Sequence, residues 1–332
     1  MKIYKAAILG MGNMGKAHAH SMMKMEDVEI VALCSFPEDD ARNFAKENGL
    51  ECRIYADGFQ MIEKEELDIL YICLPPFAHT GQFEAAAKKG VHIFIEKPIA
   101  LDLERGESMV KAAKEYGICT QVGYHMRFGS AVQRFMELLK SGKTGKTALY
   151  TASYECNSLH GAWWRDAAKC GGQVFEQVIH LYDMALYMMG QPERISGNTA
   201  NICHQEVEGY TVEDTSVSNI VFESGALGSI TGSNCAVKNQ WNGRFRVICE
   251  KMVADFQDHN HAVFIYTEDE EPKIEHVGAD QDATFLEDTY FVDVVKGKAE
   301  PFADIEVGFT GLKMVAAVVS SSKEAGKVIN IK

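Results

Sequence analysis

Near the amino terminus the chain reads Gly10-Met11-Gly12-Asn13-Met14-Gly15, and this spacing of three glycines restricts the fold more than any other stretch. An apolar run from Tyr4 leads into it, a helical pattern through Met25 follows, and Glu29 to Ser35 then reads as a second strand. A lone Gly-x-Gly-x-x-Gly is a weak signal, but between a first strand and a first helix it becomes specific. Gly10 permits a tight turn, Gly12 lets a pyrophosphate approach the backbone and Gly15 lets helix and strand pack closely. Met11, Asn13 and Met14 complete the loop, and the whole motif predicts a dinucleotide-binding βαβ unit.

The alternation continues with a helix around Asp39 to Glu47 and a strand at Asp68 to Leu74. A helix at Thr80 to Lys89, a strand at Val91 to Ile95, a helix at Leu103 to Tyr116 and a strand at Ile118 to Val122 follow. Repeated βα units with short connections predict a parallel, doubly wound α/β sheet over residues 1–124. The residue expected to meet the adenosine ribose is Ser35, at the end of the second strand. Without a carboxylate there the site leans towards NADP, yet Glu38, Asp39 and Asp40 follow and only Arg42 adds a positive charge, so both NAD and NADP remain candidates.

The pattern changes after residue 124. A helix from about Ser130 to Lys140 and a strand at Thr147 to Tyr154 precede alternating runs about a turn at Glu223 to Ala226. Further strands are expected at Phe245 to Cys249, Met252 to Phe256 and Ala262 to Tyr266, with a helix from about Gly308 to Ala325. Residues 125–332 therefore read as an α+β domain with an open-faced, mostly antiparallel sheet, joined to the first without a flexible linker.

Two further segments, YICLPPFAHT (Tyr71 to Thr80) and IFIEKPIA (Ile93 to Ala100), lie at strand ends. Together with the Gly loop and CGGQVFEQVIHLYDM (Cys170 to Met184), they resemble the glucose-fructose oxidoreductase / inositol dehydrogenase / MocA family over nearly the whole chain. The resemblance implies sugar or cyclitol substrates bound between a Rossmann domain and a sheet domain. Lys97 matches the family's active-site Lys, with Glu96 and Pro98 flanking it, and His180 matches its catalytic His. Glu176 stands where the family usually has Asp, and Val178 where it often has Gly. Leu74, Pro75, His79, Glu96 and Lys97 are implied on the cofactor side. The uncovered sheet face implies a homodimer or homotetramer.

The residue chemistry agrees. A Lys at the carboxyl end of a parallel strand lies on the ligand-binding edge of an open α/β sheet. Glu176, His180 and Asp183, at i, i+4 and i+7, would share one stripe of an α-helix. His180 is the expected acid/base, with Glu176 orienting its ring or binding a hydroxyl. Trp164 and Arg165, in HGAWWRD, and Arg127, in GYHMRFG, are substrate-side candidates with Asp183. A metal is not expected, because Glu176, His180 and Asp183, His18-x-His20 and His259-x-His261 form no recognised metal spacing.

A formal net charge of -14 argues against nucleic acid as a partner. Nine Cys without a C-x-x-C spacing, among them Cys34, Cys73 and Cys249 in apolar runs, suggest reduced thiols and a cytoplasmic protein. No signal peptide or membrane span is expected. The leading reading is an NAD(P)-dependent sugar or polyol dehydrogenase. The alternatives are a redox-neutral, NAD-dependent glycosidase and a non-catalytic dinucleotide sensor.

Overall fold

The computed structural model describes residues 2–331. The chain forms two compact units, one from residues 2–124 and 284–309, the other from residues 125–283 and 310–331. Residues 284–309, expected from the sequence within a 125–332 domain, cluster with residues 2–124.

In the first unit, β1 (Tyr4–Leu9), β2 (Val28–Cys34), β3 (Arg53–Tyr55), β4 (Ile69–Ile72), β5 (His92–Ile95) and β6 (Thr120–Val122) form one sheet in the order β3-β2-β1-β4-β5-β6. All five pairings are parallel. This is the order of a doubly wound dinucleotide-binding fold, with a topological switch between β1 and β4. Helices α1 (Asn13–Met22), α2 (Asp39–Glu47), α3 (Gly58–Lys64), α4 (Gln82–Lys88) and α5 (Leu103–Tyr116) are the connections. β4 is buried at every position, as a strand covered on both faces should be. The core joins Ile8, Leu33, Tyr71 and Phe94 to Phe291 and Val292, which come from the returning segment.

The second unit contains α6 (Ser130–Lys140), α7 (Ala167–Cys170), α8 (Ile179–Met189) and a nine-stranded sheet. Its strands are β7 (Thr147–Cys156), β8 (Pro192–Ala200), β9 (Thr215–Phe222), β10 (Leu227–Ser233), β11 (Trp241–Cys249), β12 (Met252–Phe256), β13 (His261–Tyr266), β14 (Lys273–Gly278) and β15 (Ile329–Asn330). Their order is β14-β13-β12-β11-β7-β10-β9-β8-β15, and β7 with β10 is the one parallel pair. Alternation in β9 buries Ser216, Ser218, Ile220 and Phe222, and the Tyr182 hydroxyl of α8 meets Ser218 Oγ at 2.7 Å. The opposite face presents Val217 and Leu227 with Ser and Thr neighbours. Helices α9 (Ala283–Val295) and α10 (Ile305–Lys323) complete the fold. α10 is long and apolar enough to meet the length and composition of a membrane span, with half of it buried inside the protein.

Candidate active site

The glycine loop is built as its spacing requires. Gly10 has φ +102°, and a Cβ there would lie 2.5 Å from the Cys73 carbonyl oxygen. A Cβ on Gly15 would lie 1.9 Å from the Gly10 carbonyl oxygen, so the first helix can approach the first strand only with glycine at this point. Gly12 has open space where its Cβ would be, and it caps α1 without a side-chain hydrogen bond. The amides at the start of a ten-residue helix therefore face an open cradle, a favourable place for a pyrophosphate. Met11 is buried beneath the loop, Asn13 is exposed and Met14 is half-buried. These residues fit a dinucleotide.

At the end of β2 the Ser35 amide donates to the Tyr55 carbonyl at 3.0 Å, so β3 fixes the residue expected at the ribose. Phe36 follows, 90% exposed. The Arg42 guanidinium donates to Glu38 at 2.9 Å, leaving the nearby Asp39 and Asp40 without that compensation.

The LPP and EKP segments are tied together by His79. Its ring nitrogens lie 2.7 Å from the Ile99 carbonyl oxygen and 3.1 Å from that of Leu74. His79, expected on the cofactor side, thereby ties the two backbones that carry Leu74, Pro75 and Lys97. Lys97 itself is half-buried immediately after β5, and its amide donates to Glu96 Oε2 at 3.2 Å. Glu96 is buried, with Oε1 3.1 Å from His18 Nε2.

In the second unit the expected single α-helix is interrupted. Residues Val174–Val178 form a π-helical turn before α8, so Glu176 and His180 do not stand at α-helical spacing. Such turns are frequent at functional sites because they redirect one side chain without ending the helix. Glu176 Oε2 accepts from Trp164 Nε1 at 2.8 Å and from Gln177 Nε2 at 2.5 Å, while Tyr154 donates to Gln177 Oε1 at 2.6 Å. His180, 7% exposed, packs edge-on against the His125 ring at 4.9 Å between centroids, and His125 meets His259 at 5.6 Å.

The remaining candidates are placed differently from the stripe model. Asp183 is fully buried and paired with Arg127, whose Nη2 lies 2.7 Å from Oδ1 and Nε 2.9 Å from Oδ2. Burial raises the Asp183 pKa, and the guanidinium opposes that shift. Enclosed together, the two tie α8, which carries Asp183, to the segment at Arg127. Trp164 is buried with Cys170, Tyr210 and Val212, so its ring packs inside the unit instead of offering a face to a sugar. Arg165 donates to the carbonyls of Leu159 at 2.8 Å and His160 at 3.1 Å and so shapes the loop.

Sequence reasoning missed Glu213, Gln177, His125 and His259 as neighbours of this region. Glu213 Oε1 accepts from the Val174 amide at 2.7 Å, and its carboxylate fills the space where a Gly172 Cβ would lie. Burial pushes Glu213 up to about 7, against the hydrogen bonds that favour its charged form. The Gly171-Gly172 pair was the signal: its second member admits an acid to the start of the helix. Elsewhere, Cys203, Asp214 and Cys235 offer ligand atoms within 4.8 Å of one another among the described residues. The oxygens of Asp214 already accept from the amides of Ile202, Cys203 and His204.

A parallel sheet with a pyrophosphate cradle and a Lys at a strand end, followed in the chain by an α+β unit carrying a buried histidine, defines an NAD-binding oxidoreductase. The model of the oxidoreductase family with NAD-binding Rossmann fold matches residues 4–124, and the GFO/IDH/MocA C-terminal domain matches residues 132–254. The chain belongs to the Gfo/Idh/MocA oxidoreductase family. It is 27% identical over 235 residues to myo-inositol 2-dehydrogenase of Thermotoga maritima, covering 70% of this chain and 69% of that protein. It is 29% identical over 232 residues to scyllo-inositol 2-dehydrogenase (NAD(+)) of Bacillus subtilis, covering 69% and 67%. Levoglucosan dehydrogenase, solved with NADH and L-sorbose, shares the fold with a TM-score of 0.91 at 18% identity over 100% of both chains.

Proposed function

We propose that the protein oxidises a secondary alcohol of a sugar, sugar derivative or inositol, or reduces the corresponding ketone, using NAD in preference to NADP. The position of Lys97 carries this reading: it is a half-buried ammonium at the carboxyl end of β5, in a parallel sheet whose first strand ends in a pyrophosphate cradle. When bound, the nicotinamide supplies an acceptor for the hydride leaving the carbinol carbon. Lys97 donates a hydrogen bond to the hydroxyl oxygen, and His180 takes the hydroxyl proton, so the O–H electron pair becomes the second bond of the carbonyl. Glu176, held by Trp164 and Gln177, contributes a fixed carboxylate for a substrate hydroxyl. The inositol names of the relatives support the polyol class.

The acidic run after β2 supports NAD, because a 2′-phosphate would meet Glu38, Asp39 and Asp40 while Arg42 is already paired with Glu38. The outward sheet face around Val217 and Leu227 supports assembly as a homodimer or homotetramer, which light scattering would report.

The test is a panel of inositols, sugars and glycosides incubated with NAD or NADP while nicotinamide absorbance and product release are followed. We expect at least one polyol to reduce NAD, with kcat/KM at least about tenfold above that for NADP, a difference of ~1.4 kcal/mol. Lys97→Met should abolish the reaction. A protein that binds NAD tightly but reduces neither cofactor with any polyol, or full turnover in Lys97→Met, would sink the reading.

A further inference from the structure

His18 lies on α1, one residue short of a full turn beyond Gly15, and is fully buried. Its Nδ1 is 2.8 Å from Asp288 Oδ1, on α9, and its Nε2 is 3.1 Å from Glu96 Oε1, beside Lys97. The ring packs against Tyr71 and Phe94, which stack on one another, at centroid distances of 5.3 and 4.7 Å. A neutral imidazole has one donor and one acceptor, so the doubly donating cation is the form that meets two carboxylates, while burial raises the Asp288 pKa against the pull of that cation. Burial disfavours that cation, but Asp288 and Glu96 outweigh burial and raise the His18 pKa to about 10.

Glu96 is confined on its other sides as well. Its Oε2 accepts from the Lys97 amide, and a Cβ on Gly123 would lie 2.5 Å from its Oε1. Three buried ionisable groups are an expensive way to fill a core that apolar side chains would fill with less desolvation. What they add is direction: the hydrogen bonds permit one orientation of the Glu96 carboxylate and therefore one path for the backbone entering Lys97.

We propose that His18 is a positioning residue that ties the helix following the glycine loop to the Glu96-Lys97-Pro98 segment, holding the pyrophosphate cradle and Lys97 at a fixed separation. The inference rests on the assignment of Lys97 to the nicotinamide side of the site. His18 touches neither cofactor nor substrate and acts through Glu96.

The test uses the full chain and the variants His18→Leu, His18→Gln and Asp288→Asn. Dissociation constants for ADP-ribose, which reaches only the cradle side, and for NADH are measured together with kcat and KM for the polyol found active. In His18→Leu we expect kcat to fall by about 10²-fold and NADH to weaken about tenfold, with ADP-ribose binding within about twofold of wild type. His18→Gln should recover part of the loss, because its carboxamide still donates to Glu96. If His18→Leu does not fold, His18→Gln and Asp288→Asn carry the comparison, with a smaller loss in the same direction. ADP-ribose and NADH weakening in parallel, or a lowered melting temperature with kcat and NADH binding unchanged, would overturn the inference and leave His18 as a core link. Lys97→Met is run alongside: full turnover in that variant defeats the site assignment itself, whereas the ratio of NADH to ADP-ribose affinity reports on His18.

Discussion

His18, in the first unit, and His180, in the second, are both buried histidines, and their surroundings differ. His18 has a carboxylate at each ring nitrogen and lies at zero exposure, whereas His180 retains a small accessible fraction and packs against the imidazole of His125. The first environment fixes a charge and an orientation. The second sets one imidazole edge-on against another. On the reading proposed above, the same residue type serves as a strut in one unit and as a reacting group in the other.

The largest effect should separate these roles directly. Replacing His180 by Asn is expected to reduce turnover by roughly 10²- to 10⁴-fold, the usual contribution of a positioned acid/base, with the melting temperature nearly unchanged. Steady-state rates and calorimetry on one preparation check this, and a comparable loss of stability would erase the contrast.

Arg127→Met should come next and act through stability. It leaves Asp183 buried without its cation, a destabilisation of about 3–5 kcal/mol that denaturant unfolding measures. The double variant Arg127→Met/Asp183→Leu should recover most of it, because two matched apolar side chains leave no charge unpaired.

A third measurement sharpens the His18 side. Folding raises its pKa from 6.5 to about 10, so the folded protein retains a proton that the unfolded chain releases above about 6.5. The associated stability is complete below that value and fades as pH rises towards about 10. Wild type should lose thermal stability steadily between pH 7 and pH 10, and His18→Leu should show a shallower slope. Equal slopes would show that another group governs alkaline unfolding.

The smallest effect concerns Trp164→Phe, which keeps most of the packing but removes the N–H donated to Glu176. We expect about 1 kcal/mol of stability and a few-fold rise in KM with little change in kcat, read from substrate saturation curves.

Much of the first unit was legible because its signals are local: glycines at fixed spacing, apolar strands and short connections. Helices Asp39–Glu47 and Leu103–Tyr116 fall where periodicity predicts them, while β3 and α3, at three and seven residues, are too short to leave a readable period. In the second unit, β8 and β14 carry too many polar residues to alternate clearly. The π-helical turn escaped because an α-helical wheel assigns Glu176, His180 and Asp183 to one stripe by construction. The structure instead gives Asp183 to Arg127 and Glu176 to Trp164. The return of 284–309 to the first unit could not be read locally, since it depends on which distant core accepts Phe291 and which buried histidine accepts Asp288.

That return also sets the order in which the protein can be completed during synthesis. Residues 2–124 are synthesised with all six strands of their sheet but before Phe291, Val292 and the acid that meets His18. The nucleotide-binding half must wait, with an apolar face uncovered and a histidine lacking one of its counter-charges, until strands β7 to β14 have been translated.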